Sequence, residues 1–180
     1  MNTLEAIAKR RSIRKYKAEQ IKDSDLQKII KAGQSAPNAG PFQISVIQNA
    51  DLLTKISELS LTGMKNSGND FLMERAALPG YNPTYGAPTL IVLSAPKENP
   101  YSSANTSTTA ANMTIAATDL GLGSCYMVTP QLAFHQDPSL AKEADIPEGY
   151  SVMCCVLLGY ADGNAFSTER AEMDNVNYVK

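Results

Sequence analysis

The amino-terminal third of the chain carries hydrophobic residues at the spacing of amphipathic helices. Asn2 followed by Glu5 is a capping-box pattern, and the apolar residues that follow share one face of a short helix ending near Arg11. A second capping pattern and a hydrophobic stripe predict a helix over residues 24–32. A third stripe predicts a helix over residues 51–60.

Short apolar runs elsewhere in the chain predict strands. Residues 43–48 form one such run, and residues 87–93 and 151–158 are continuously apolar and bounded by proline or glycine, which is typical of strands covered on both faces. Between the last two, residues 107–120 predict a long helix rich in alanine and threonine. Strands separated by helices indicate an α/β or α+β sandwich with a mixed sheet.

Three segments lack the regular spacing of hydrophobic residues that is typical of a helix or a strand. Residues 34–42 contain two prolines, a glycine and two asparagine or glutamine side chains, which predicts an ordered turn or loop. Residues 62–86 are polar and glycine-containing, which predicts a long loop or a lid over the core. Residues 160–180 are expected to form an extension that must be held by another surface, and a partner subunit is one candidate.

Length and composition indicate one folded domain over residues 1–180. The chain has 43% hydrophobic and 19% charged residues, which supports a sizeable core and argues against disorder. Its net charge of −2 means that the overall electrostatic potential of the molecule does not attract nucleic acid or an anionic membrane. The first residues contain no apolar run long enough for a signal peptide or a membrane span, so we expect a cytoplasmic protein.

Cysteine and histidine content argues against a disulfide framework, a metal site and a histidine-based catalytic apparatus. Cys125, Cys154 and Cys155 have the wrong number and spacing for disulfides or a metal knuckle, and we expect buried free thiols. Neighbouring residues of a strand point to opposite faces, so Cys154 and Cys155 cannot act together. His135, the single histidine, is predicted to lie in a loop and is not expected to be catalytic.

The most concentrated candidate for chemistry is the basic segment, residues 9–17, with six cations in nine residues. If the chain is extended beyond the first helix, Arg10, Ser12 and Arg14 share one face while Ile13 turns to the core. Two guanidinium groups that flank a hydroxyl suit a phosphate. The alternative is a solvated basic patch that complements a helix carboxyl terminus. Binding of nucleic acid would need further basic surface, which the chain lacks.

Five segments of the chain, in this order, resemble the signatures of the FMN-dependent nitroreductase family. They are residues 10–16 (Arg-Arg-Ser-Ile-Arg-Lys-Tyr), 35–43 (Ser-Ala-Pro-Asn-Ala-Gly-Pro-Phe-Gln), 87–92 (Ala-Pro-Thr-Leu-Ile-Val), 117–126 (Ala-Thr-Asp-Leu-Gly-Leu-Gly-Ser-Cys-Tyr) and 158–160 (Leu-Gly-Tyr). The resemblance implies a nitroreductase-like α+β fold, with a mixed, mostly antiparallel sheet flanked by helices. It also implies a homodimer with an extended carboxyl-terminal segment and two FMN molecules in the subunit interface.

The resemblance implies nine cofactor-binding residues: Arg10, Arg11, Ser12, Arg14, Pro37, Asn38, Val128, Thr129 and Arg170. The first four would bind the phosphate and ribityl chain, and Arg170 would add a basic group at the phosphate. Pro37 and Asn38 of the partner subunit would border the isoalloxazine ring. Val128 and Thr129 would offer backbone groups to the reactive edge of the ring. Phe42 and Tyr126 stand where the family usually has tryptophan.

The function implied is an FMN-dependent oxidoreductase. Such an enzyme passes reducing equivalents from NAD(P)H to nitroaromatic, quinone or related small-molecule acceptors by a ping-pong mechanism, and no side chain of this sequence is expected to be catalytic. One alternative is a specialised flavin reaction on a metabolite, such as reductive dehalogenation or dehydrogenation. Another is a module that binds FMN or a phosphorylated metabolite without turnover.

Overall fold

The structure is a computed structural model, and it describes residues 1–163 and 173–180, so the predicted Arg170 contact lies outside the described residues. In chain order the elements are α1 (Thr3–Lys9), α2 (Asp23–Gln34), β1 (Gln43–Ile47), α3 (Ala50–Lys65), α4 (Asp70–Ala76), β2 (Thr89–Pro96), α5 (Ser102–Asp119), β3 (Gly123–Met127), α6 (Gln131–Gln136), α7 (Leu140–Glu143) and β4 (Tyr150–Gly159).

The first helix begins and ends close to the predicted positions. The Asn2 side chain accepts a hydrogen bond from the Glu5 N–H at 2.9 Å and so caps α1. Glu5 itself pairs with Lys9 at 2.7 Å instead of completing the capping box. Arg10 leaves the helix with an extended backbone, which starts the path of the basic segment.

The four named strands form one antiparallel sheet in the order β1-β2-β4-β3. The two continuously apolar runs are its central strands, β2 and β4, as their composition predicts. Ser12 adds an isolated parallel bridge to Ser124 beyond β3, the outer strand on that side. The predicted α+β architecture, an antiparallel sheet flanked by helices, is confirmed.

Hydrophobic cores cover both faces of the sheet. One core joins the sheet to α3, α6 and α7, and the other joins it to α2 and α5. Successive side chains of β4 point to opposite faces of the sheet, so Cys155 lies in the first core and Cys154 in the second. All three cysteines are buried free thiols, as expected.

Several sequence-based expectations are wrong in detail. The segment 62–86 is not one long loop, because α3 continues to Lys65 and a further helix, α4, follows it. The long helix begins at Ser102, five residues before the predicted start. Its first turns were missed because their residues are mostly polar and show no hydrophobic stripe. His135 lies on the exposed face of α6 and not in a loop.

The strand β3 and the short helices α6 and α7 are not predicted by the periodicity of hydrophobic residues in the sequence.

None of the helices in the described part of the chain is long and apolar enough to cross a membrane.

Candidate functional site

The basic segment runs along one edge of the sheet. The Ile13 N–H donates to the Ser124 carbonyl at 2.9 Å, and the buried Ile13 side chain joins the core beneath. Farther on, the Lys17 N–H donates to Tyr160 O at 2.9 Å. These backbone bonds hold the segment against the sheet edge, with Ile13 buried and Arg14 exposed, as the sequence predicts.

Arg10, Ser12 and Arg14 all act on the pKa of one buried thiol, that of Cys125. Burial raises the pKa of Cys125, while the charges of Arg14 and Arg10 and a hydrogen bond with Ser12 act in the opposite direction. The three side chains are therefore close enough to act on one sulfur atom. We define Arg10, Ser12 and Arg14 as the clamp.

Arg11 has a different environment from the clamp. Its Nη1 donates to the carbonyl oxygens of Ala8 at 2.7 Å and Arg10 at 2.8 Å. These acceptors lie at the end of α1, where carbonyl groups lack helical partners and attract cations. Arg11 thus has the helix-terminal role that the solvated-patch alternative assigned to the whole segment.

The turn after β3 contains backbone N–H groups that no described residue accepts from. The carbonyl groups of Val128 and Thr129 accept from Gln131 N at 3.1 Å and Leu132 N at 3.0 Å. Within residues 1–163 and 173–180, the N–H groups of Val128 and Thr129 donate to no protein acceptor. Val128 is 46% exposed, so this turn lies at the surface of the chain.

β3 separates the clamp from this turn. Ser124, which pairs with Ser12, is four residues from Val128, and four residues of extended chain span about 13 Å. A ligand lying along this edge meets cations and a hydroxyl at one end and backbone N–H donors at the other. An elongated molecule with an anionic end and a hydrogen-bond acceptor at the far end fits this arrangement.

The loop that contains Pro37 and Asn38 packs elsewhere, on α5. The Ala39 N–H donates to Asn105 Oδ1 at 2.8 Å, and the Thr108 hydroxyl lies 3.2 Å from the Pro37 carbonyl oxygen. Asn105 is 4% exposed, and no residue in the described part of the chain forms a hydrogen bond with its Nδ2. Asn105 was missed in the sequence because it precedes the predicted helix and nothing around it indicates a contact with a loop 66 residues away.

Side chains suited to acid–base or metal chemistry are scarce near these groups. The described residues contain no group of three or more histidine, cysteine, aspartate or glutamate side chains that could hold a metal ion. A cavity of about 530 Å³ lies between α3 and residues 81–88, and the clamp does not line it. The arrangement at the sheet edge can bind and orient a ligand.

Comparison with known proteins finds relatives that are named nitroreductases. A protein of Archaeoglobus fulgidus, provisionally named NADH dehydrogenase/NAD(P)H nitroreductase, is 32% identical over an alignment of 165 residues that covers 87% of this chain and 84% of that protein. Solved structures of nitroreductases with bound FMN from Bacteroides fragilis and Desulfitobacterium hafniense are 28% and 29% identical, with a TM-score of 0.87 for both. Each comparison covers 100% of both chains.

The match to the family model runs over residues 7–160, which begins just before the basic segment and ends just after β4. It therefore includes the clamp, the loop on α5 and the turn after β3. The chain belongs to the nitroreductase family.

Proposed function

We propose that the protein is an FMN-dependent oxidoreductase that takes reducing equivalents from NAD(P)H. The observation that carries this proposal is the placement of the clamp and the Val128–Thr129 donors at opposite ends of β3. FMN has the matching chemistry, with a phosphate at one end and a ring with hydrogen-bond acceptors at the other. The FMN bound by the two solved relatives supports the same cofactor here.

At the phosphate end, the clamp supplies the charge. Arg14 is exposed, and its Nη1 is 3.5 Å from Ser12 O, a weak contact that a phosphate can replace. Guanidinium groups bind phosphate through two parallel N–H donors, and Ser12 adds a hydroxyl donor between them. Arg170 would join this group, and this contact also belongs to the proposal.

At the ring end, the backbone supplies the electrostatics. When bound, FMN provides the redox chemistry, and the chain holds it in place. The N–H groups of Val128 and Thr129 would donate to the edge of the ring that gains negative charge on reduction, and Arg10 and Arg14 add positive potential along the same edge of the sheet. Preorganised donors stabilise such charge most strongly where water is excluded.

A second copy of the chain would complete the site. Pro37 and Asn38 lie against α5, on one side of the sheet, whereas Cys125, whose pKa responds to the clamp, belongs to the core on the other side. In a homodimer, Asn38 of the partner subunit would border the ring held by the clamp.

The absorption spectrum of the purified protein tests the proposal. We expect a flavin spectrum, and loss of its visible band when NADH or NADPH is added without oxygen. A nitroaromatic or quinone should then restore the band. Bound flavin that neither nucleotide reduces would instead identify a binding module, and a colourless protein that does not take up added FMN would exclude the flavoprotein assignment.

A further inference from the structure

Arg75, in the last turn of α4, is a partly buried cation with aromatic neighbours. Its guanidinium carbon lies 5.8 Å from the centroid of the Phe71 ring and 5.3 Å from that of the Tyr81 ring. Within residues 1–163 and 173–180, no carboxylate lies within 4.0 Å of this guanidinium. Rings do not neutralise the charge as a carboxylate does, so the positive potential remains available to an anion.

The aromatic neighbours hold Arg75 in a defined place. The Tyr81 and Tyr85 rings meet edge to face with centroids 6.0 Å apart, and their hydroxyl oxygens are 3.5 Å apart. Hydrogen bonding to Tyr81 and the nearby Tyr85 raise the pKa of Arg75. Phe71, on the other side, is 64% exposed. A fixed guanidinium beside an exposed aromatic ring is a surface for a ligand with both an anionic and an aromatic group.

The position of α4 brings this surface to the candidate site. α4 packs against α3, and Gly63 of α3 lies close to Leu132, three residues beyond Thr129. Tyr85, which follows α4, packs against the core that contains Tyr16, and both Tyr85 and Arg14 act on the pKa of Tyr16. α4 therefore follows the end of α3 that contacts the residues just beyond the turn after β3, and α3 packs on the same side of the sheet as Cys125.

We propose that Arg75 binds a phosphate of the dinucleotide reductant, with the Phe71 ring beside it. This inference rests on the proposed function. A dinucleotide whose nicotinamide lies at the FMN ring carries its pyrophosphate outward, and the clamp cannot bind it because the clamp holds the phosphate of FMN. Arg75 supplies the second cation that a second phosphate ligand requires.

The test separates the phosphate contact from chemistry at the ring. The test compares Arg75→Gln and Arg75→Lys with the control Lys28→Gln, which removes an exposed cation on α2. Each variant is mixed without oxygen with one of two reductants, NADH or N-benzyl-1,4-dihydronicotinamide. The second compound has the same reacting ring as NADH and no phosphate. We expect Arg75→Gln to weaken NADH binding about tenfold to hundredfold and to leave reduction by the phosphate-free compound unchanged. Arg75→Lys should be intermediate, and the control should match the wild type.

Inorganic pyrophosphate gives a readout that does not depend on turnover. It should compete with NADH, and bind in calorimetric titrations, with the wild type and Lys28→Gln but much more weakly with Arg75→Gln. Equal loss with both reductants, unchanged NADH binding, or loss of FMN from Arg75→Gln would each overturn the inference. A wild-type protein without flavin would refute the proposed function alone, and pyrophosphate titration would then still decide whether Arg75 is an anion site.

Discussion

At the scale of single residues, Arg10 and Arg14 both act on the pKa of one buried thiol, that of Cys125. Alternation along an extended segment was enough to predict that Ile13 is buried. The different environment of Arg11 depends on where α1 ends and on the direction of its last carbonyl groups. The periodicity of hydrophobic residues does not predict that direction.

Arg14→Ala is expected to weaken FMN binding about tenfold to hundredfold, because charge-assisted hydrogen bonds to the phosphate are lost. Fluorescence titration of the apoprotein with FMN measures the change. Lys28→Ala, remote on α2, is the matched control and should bind FMN like the wild type. Equal affinities in all three proteins would remove Arg14 from the phosphate site.

Cys154 makes stability depend on alkaline pH. Burial raises its pKa from 9.0 to about 11, so above pH 9 the unfolded chain loses this proton while the folded chain keeps it. Stability is therefore complete below pH 9 and declines as the pH rises towards 11, by about 1 kcal/mol per pH unit. Urea unfolding of the wild type and of Cys154→Ala should show the steeper decline in the wild type. Parallel curves would contradict a raised pKa at this thiol.

At the scale of elements, the close approach of α3 and α6 depends on a glycine inside a helix. A Cβ at Gly63 would lie 2.8 Å from the Cβ of Leu132, a contact that flexible side-chain ends cannot relieve. The same glycine contributed to the prediction of an irregular segment from residue 62, where the structure has a continuous helix. A glycine that reduces helix propensity can be required by packing, and sequence periodicity does not distinguish the two cases.

Gly63→Ala should lower the free energy of unfolding by about 1–3 kcal/mol, although alanine is the better helix former. The physical reason is that α3 and α6 must move apart. Thr62→Ala, at the exposed neighbouring position, should change stability by less than about 0.5 kcal/mol. Chemical denaturation of both variants provides the comparison, and a stabilised Gly63→Ala would show that the two helices do not approach so closely.

The predicted bounds agree best with the observed elements where the sequence has a long apolar run or stripe, as for β2, β4 and α2. They failed where position is set by distant neighbours. β3 is five residues long and includes one glycine and one serine, and its place at the sheet edge comes from pairing with β4. The loop at Pro37 was recognised as a turn, whereas its attachment to Asn105 required the fold.

At the scale of the whole molecule, the proposed site combines groups from two chains, which gives a complementation test. Arg14→Ala and Asn38→Ala homodimers should each bind FMN weakly. When their subunits are exchanged, one of the two sites in each mixed dimer carries both native residues. We therefore expect a class of sites with wild-type affinity, detected by FMN titration before and after exchange.

A site built within one chain would show no such recovery. Light scattering should give about twice the chain mass of 19.4 kDa for the wild type and for both variants. Because FMN would bind only the paired chains, added FMN should also shift the distribution towards dimers on dilution. A monomer that binds FMN tightly would contradict the two-chain site.

Adjacent positions of β4 place one thiol in each of the two cores. Modification by a small thiol reagent under native conditions therefore follows the opening of each layer separately. If the layer formed by α2 and α5 opens before the layer formed by α3, α6 and α7, Cys154 is labelled ahead of Cys155, and if the molecule opens as one unit the two rates coincide. Two neighbouring residues thus report whether the protein unfolds in one step or layer by layer.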